Sequence, residues 1–171
     1  MGVCTLGKME NPQLDAQPSS TLYMNLSSLP KSYFVITALM PGEQLKTRSR
    51  DYPAIQMVDN VAQISTDPPL LTCAVPLLSN VNETMDYSGR FVVHPLTPLE
   101  YEEWVQVLSS SSDFSNGQLK GIPHQKTAKA LLLDNQAGRL HCEVVDSWTM
   151  GDSTLYVGRV IETVKGSDAR N

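Results

Sequence analysis

The sequence predicts a mainly β fold with peripheral helices, a barrel finished by a long hairpin. Arg139 to Thr163 carries two strand patterns facing each other across a polar turn. Compact β-prone runs recur before it, each stopped by Pro or Gly. Helix signals come singly between those runs, a pattern of strands with helices outside the barrel rather than of a helical bundle.

In chain order, residues 1–28 are rich in Pro, Ser, Asn and Gln and read as an arm ordered by packing, ahead of a barrel domain at 29–171. Tyr33 to Leu39 is the first strand, closed by Pro41-Gly42. After a polar loop with Arg48, Arg50 and Asp51, Ala54 to Ile64 reads as one second strand. Its polar insertions Gln56, Asp59, Asn60 and Gln63 suit either a cavity lining or an edge facing water. Asp67-Pro68-Pro69 stops it, since neither proline donates to a ladder, and Leu70 to Val75 forms an apolar third strand.

Ser79 to Ser88 predicts a short helix with Gly89 as its C-terminal stop, followed by a fourth strand at Arg90 to His94. Thr97-Pro98-Leu99-Glu100 is a capping box with proline at the first helical position. Tyr101, Trp104, Val105 and Leu108 follow at helical spacing as a core-facing stripe, with Glu102 and Glu103 toward solvent. Ser109 to Gly117 reads as a loop, and Leu119 to Pro123 leads through His124 and Lys126 to the apolar stretch Ala128 to Leu133. In the final hairpin, Leu140, Cys142 and Val144 alternate with His141, Glu143 and Val145, and Thr149 to Asp152 makes the turn. Leu155 to Ile161 then resumes the β pattern, where Gly158 marks a bulge or a close approach of another group.

Bulk properties narrow the partners. The 171 residues carry 13 basic and 18 acidic side chains, a net charge of -5, which works against nucleic acid and anionic membranes and favours a small-molecule substrate. No stretch reaches the roughly 18 apolar residues of a membrane span, and the start lacks a signal-peptide layout, so a cytoplasmic protein is expected. Met1-Gly2 hints at myristoylation, but Leu6 stands where Ser or Thr is wanted. Cys4, Cys73 and Cys142 are odd in number and far apart, and His124 and His141 have no ligand cluster at metal spacing, so neither disulfide nor metal is assigned.

Several segments share the wording of one family. Ser65-Thr66-Asp67-Pro68-Pro69-Leu70, the run Ser88 to Val93, the step Gly121-Ile122-Pro123 and the closing hairpin, in this order, resemble the flavin reductase-like, FMN-binding split-barrel family. The resemblance runs from Tyr33 to Val164 and implies a six-stranded split barrel. It also implies a homodimer with FMN in a pocket at the interface, FAD as the alternative flavin and NAD(P)H as reductant. Carried over residue by residue, Asn60, Val61, Ser79, Asn80 and Asn82 would surround the flavin, with Ser153 near its reactive ring.

This chain departs from that pattern at three site positions. Val81 replaces a hydroxyl and no basic residue accompanies Ser79; His94 stands where relatives have Asn; Gly151-Asp152-Ser153 replaces Gly-Asp-His. Each candidate keeps a second reading. His94 is either a hydrogen-bonded histidine at a strand end or the best general acid/base in the chain. Asp152 and Ser153 suit an ordinary turn as well as a catalytic rim, and the asparagines suit water as well as a ring carbonyl or nitrogen.

Two enzymes from different classes follow. One is a flavin-dependent oxidoreductase, where the cofactor carries the redox chemistry and the barrel orients it. The other needs no cofactor: the vacated flavin pocket folds a small-molecule biosynthetic substrate for a non-redox cyclisation or isomerisation, with His94, Asp152 and Asn60 as working residues. A non-catalytic ligand-binding dimer is a third possibility. For the enzymes a C2 homodimer is expected, with the apolar arm (Leu22, Tyr23, Met24, Leu26, Leu29) packed across the interface.

Overall fold

β1 (Phe34–Met40) is buried along nearly its whole length, which its apolar run, interrupted only by Thr37, requires of a strand covered on both faces. The chain is described by a computed structural model over residues 32–42, 51–110, 124–133 and 137–166. The predicted arm, the Arg48 and Arg50 loop and the Gly121-Ile122-Pro123 step lie outside these residues.

The expected second strand is two. β2 (Tyr52–Val58) and β3 (Val61–Thr66) part at Asp59 and Asn60, turn-forming residues that the apolar content around them had masked. β4 (Pro69–Pro76) follows through a cis Asp67–Pro68 bond and alternates between buried and more exposed positions. Helix α1 (Asn80–Ser88) forms as expected: Ser79 caps it by accepting from the Asn82 N–H, and Gly89 ends it at φ 66°. β5 (Arg90–Pro95) leads to α2 (Pro98–Ser110), where Thr97 and Glu100 hold the reciprocal capping contacts and the helix runs two residues into the predicted loop. β6 (His124–Lys126) and β7 (Leu131–Leu133) form a small hairpin, and β8 (Gly138–Met150) and β9 (Ser153–Lys165) the long one.

Seven strands form one open sheet in the order β2-β1-β5-β8-β9-β4-β3, with every neighbouring pair antiparallel. The added strand relative to the expected six is the second half of the split β2–β3 run. The curled sheet encloses one core, Ile36, Cys73, Val75, Phe91, Cys142 and Tyr156 among others, and α1 contributes Val81 and Met85 to it. A second apolar layer lies outside, where Trp104, Val107 and Leu108 of α2 meet Val35 and Leu39 of β1 and Leu131 and Leu133 of β7.

The long hairpin turns on Gly151 and Asp152 alone, not over four residues as the polarity of Thr149 suggested. Gly151 takes φ 64° while Asp152 stays at negative φ, the pattern of a type II′ turn. Gly158 combines both readings made from sequence. It sits opposite Val144, next to a register shift between Val144 and Asp146, and the Phe91 ring lies against its Cα where a side chain would stand.

Candidate functional site

Three connections converge at one end of β4, and backbone bonds tie them together. Asn60, in the β2–β3 turn, accepts from the Ala74 N–H with its amide oxygen at 2.9 Å. The Leu77 N–H, just after β4, donates to the Asp152 carbonyl at 2.8 Å and so fixes the hairpin turn beside the start of α1. Ser79 N–H donates back to Pro76 at 3.0 Å.

Two grooves open there. One of about 410 Å³ is lined by Asn60, Asp59, Met57, Ala74, Pro76 and Ser153, with Tyr33 and Tyr101 on one side. Those two rings stack with centroids 3.7 Å apart and planes 24° from parallel. The other, of about 520 Å³, is lined by Gln56, Met57, Leu78, Ser79, Asn80 and Val105. Met57 and Val105 line both, so the grooves run side by side. Together they have the size and mixed polarity of a small-molecule site.

The structure brings Asn60 and Ser153 into the first groove and Ser79 and Asn80 into the second. Asn60 uses its oxygen on Ala74, which leaves its amide N–H groups as donors to an occupant. Ser153 donates to the Asp152 carboxylate at 3.0 Å, and Asp152 is exposed on the rim. Val61 lies elsewhere, at the edge of an apolar cavity of about 400 Å³ with Phe34, Leu70 and Leu140.

Two predicted residues are inside the fold. Asn82 is buried within the first turn of α1, where its side-chain oxygen lies 2.9 Å from the Tyr156 hydroxyl; that hydroxyl donates to Asp86 at 2.7 Å. Burial, followed by the hydrogen bond to Asp86, pushes the Tyr156 phenol above its usual value. His94 has no exposed surface, and its Nε2 lies 3.2 Å from Thr37 Oγ1. Thr37 donates its own proton to Leu131 at 2.6 Å, so at this contact the imidazole is the donor. This is the environment of the strand-end histidine, with the sheet's outer layer between it and solvent.

Sequence reasoning missed the Tyr33–Tyr101 pair and the part played by Val105, which was assigned to the core stripe but is 40% exposed and faces the grooves. Helical spacing placed Tyr101 and Val105 four apart on one face; nothing in it said that this face meets a groove.

The flavin can be tested against these residues. The aromatic and aliphatic walls with Asn60 and Ser153 suit a planar, hydrogen-bonding ring system, and the capped N-terminus of α1 beside Ser79 and Asn80 suits one phosphate. No Lys or Arg stands among the described lining residues, so the helix end supplies the positive potential.

Comparisons with known proteins bear on the family and on the fold. The family model of the flavin reductase like domain matches residues 26–171. No curated protein sequence matches the chain. Solved structures do. Nitrilotriacetate monooxygenase component B from Mycobacterium thermoresistibile aligns at TM-score 0.70 and 20% identity, over 88% of this chain and 77% of that one. The NADH:FAD oxidoreductase SgcE6 of Streptomyces globisporus aligns at TM-score 0.71 and 16% identity, over 90% and 87%. An FMN-binding protein from Thermus thermophilus aligns at 0.64 and 19%, over 81% and 73%. At such identities the likeness is one of fold.

Proposed function

The chain belongs to the flavin reductase like domain family, and from that we propose that it is a flavin-dependent oxidoreductase binding FMN in the paired grooves, at the interface of a homodimer. The observation that carries the reading is the convergence of Asn60, Ser79, Asn80 and Ser153 on adjoining grooves, since these come from three separate parts of the chain. FMN is preferred to FAD because the grooves offer one helix N-terminus, a seat for one phosphate. Both flavins occur among the structural neighbours, which include an NADH:FAD oxidoreductase and an FMN-binding protein.

A bound flavin supplies the hydride chemistry, with NAD(P)H as its reductant. This chain's residues bind and orient. Asn60 offers amide N–H donors to ring carbonyls, and Met57, Val105 and the Tyr33–Tyr101 pair provide an apolar wall that excludes water. Ser153, already hydrogen-bonded to Asp152, presents a hydroxyl where the resemblance expects an imidazole. His94 takes no proton-transfer role in this reading because of its burial. The dimer is supported by apolar side chains left in solvent beside the grooves: Leu78 at 99% exposure, and Trp148 and Met150 near the hairpin tip.

The lack of a cation in the described lining favours a second reading, a cofactor-free biosynthetic enzyme using the same grooves for cyclisation or isomerisation. Titration of the flavin-free protein with FMN and FAD decides between them. Saturable quenching of flavin fluorescence, tighter for FMN, together with flavin-dependent NAD(P)H oxidation, is expected. No quenching at high micromolar flavin would remove the flavin reading and leave the second. Sedimentation velocity of the same sample should show a dimer.

A further inference from the structure

A larger cavity, of about 600 Å³, opens on the outer face of the sheet between β5, β8, β9 and the β6–β7 hairpin, away from the grooves. Strand register explains its floor. Val92 is opposite His141, His141 opposite Glu162, and Arg139 opposite Val164, so these side chains stand in neighbouring rows on one face. Ala130 and Leu132 of the small hairpin, with Ile161, complete an apolar wall.

Arg139 is the unusual member. Its Nε is buried and, among the described residues, has no hydrogen-bond partner, although the residue lines the cavity. A buried donor left without an acceptor is a standing cost, so this guanidinium is incomplete until something in the cavity accepts from it. The charge around it is modest. Arg90 is held by Glu143 at 2.7 Å, Lys129 is exposed at the rim, and Glu162 offsets one of the two remaining cations. Burial, and then the nearby Arg139, lower His141 against the opposing pull of Glu162, which keeps the imidazole neutral near pH 7. One net positive charge remains. A phosphate ester, with a charge of about -1.5 to -2, exceeds it, whereas one carboxylate matches it and suits the planar fork of an arginine.

We propose that this cavity is a second binding site, for an apolar monocarboxylate whose carboxylate accepts from the Arg139 guanidinium and whose body lies against Val92, Ala130, Leu132 and Ile161. The site is independent of the flavin grooves.

Isothermal titration calorimetry of the full chain tests it, with benzoate as the probe, benzyl alcohol as its neutral counterpart and inorganic phosphate as a hydrophilic anion. Benzoate should bind at one site per chain, and the other two at least about tenfold more weakly. Arg139→Gln and Ile161→Asp, the second placing a negative charge at the half-exposed mouth, should each weaken benzoate by about tenfold or more. Asn60→Ala, in the groove, should leave benzoate affinity unchanged, and FMN should not compete. Ile161→Asp carries the test alone if Arg139→Gln does not give a cooperative thermal melt. Absence of benzoate binding, equal affinity in the variants, a preference for phosphate, or competition by FMN overturns the assignment.

Discussion

Phe91 and Gly158 share one volume of the barrel interior: a methyl group added at Gly158 would come 2.9 Å from Phe91 Cε1 and closer still to Cζ. The ring is buried in the enclosed core, so it cannot swing into solvent to make room. Gly158→Ala should therefore lower stability by about 1–3 kcal/mol. Adding Phe91→Leu should recover part of that loss, read as the urea midpoint of the double variant against the two single ones.

Cys73 and Cys142 set an alkaline limit on the fold. Burial raises both thiols from 9.0 to about 12, with Cys142 also raising Cys73. The native state thus holds protons that the unfolded chain gives up, so this contribution is complete below about pH 9 and is lost as pH rises toward about 12. Each thiol adds at most about 1.4 kcal/mol per pH unit to that fall. Tyr156 acts in the same direction from its own ordinary value upward. Denaturation midpoints should drop between about pH 8 and about pH 10, and the drop should shrink in a Cys73→Ala, Cys142→Ala variant.

Removing the Tyr156 hydroxyl leaves the Asp86 carboxylate without the donor at 2.7 Å and Asn82 without its partner. Tyr156→Phe is expected to cost about 1–3 kcal/mol. Asp86→Asn should cost less, because an amide still accepts from the phenol. A larger loss for Asp86→Asn in thermal melts would show that the carboxylate charge, not the hydrogen bond, matters most.

His94→Ala should act on stability rather than on the grooves, at about 2–4 kcal/mol for a buried side chain and its bond to Thr37. FMN affinity of the folded fraction should stay within about twofold of wild type. A loss of tenfold or more, about 1.4 kcal/mol, in a variant that melts normally would return His94 to the site.

Asn60→Ala should do the reverse. It removes the acceptor of the Ala74 N–H, for about 0.5–1.5 kcal/mol of stability, and with it a donor to the flavin. A drop in FMN affinity by fluorescence titration, with the melting temperature lowered by only a few degrees in thermal melts, is the expected result.

The fold was legible where local rules act alone. Ser79 and Gly89 bound α1 as their types require, Thr97 and Glu100 cap α2, and the alternation after Arg139 gives β8. The β2–β3 split was missed because Asp59 and Asn60 are only two turn residues inside a long apolar run, and periodicity averages over them. Asn60, Ser79, Asn80 and Ser153, which line the grooves, were named through resemblance, whereas the burial of His94 and Asn82 depends on what packs over them. No spacing in β5 reveals that His94 meets Thr37, itself bonded to Leu131 of β7. Arg139 and His141 did leave a trace, two polar residues on one face of a strand, though not one that distinguishes a cavity from water.

Among the described residues the open sheet ends on β2 and β3, and an uncovered end strand is a template for a foreign one. Pro53 lies within β2 and offers no N–H there, while β3 loses its register between Gln63 and Ser65, where Ile64 is thrown outward. Both borders are thereby poor templates for continued pairing. Edge-to-edge strand addition is thus disfavoured at both borders, so copies of this chain should meet through side chains instead.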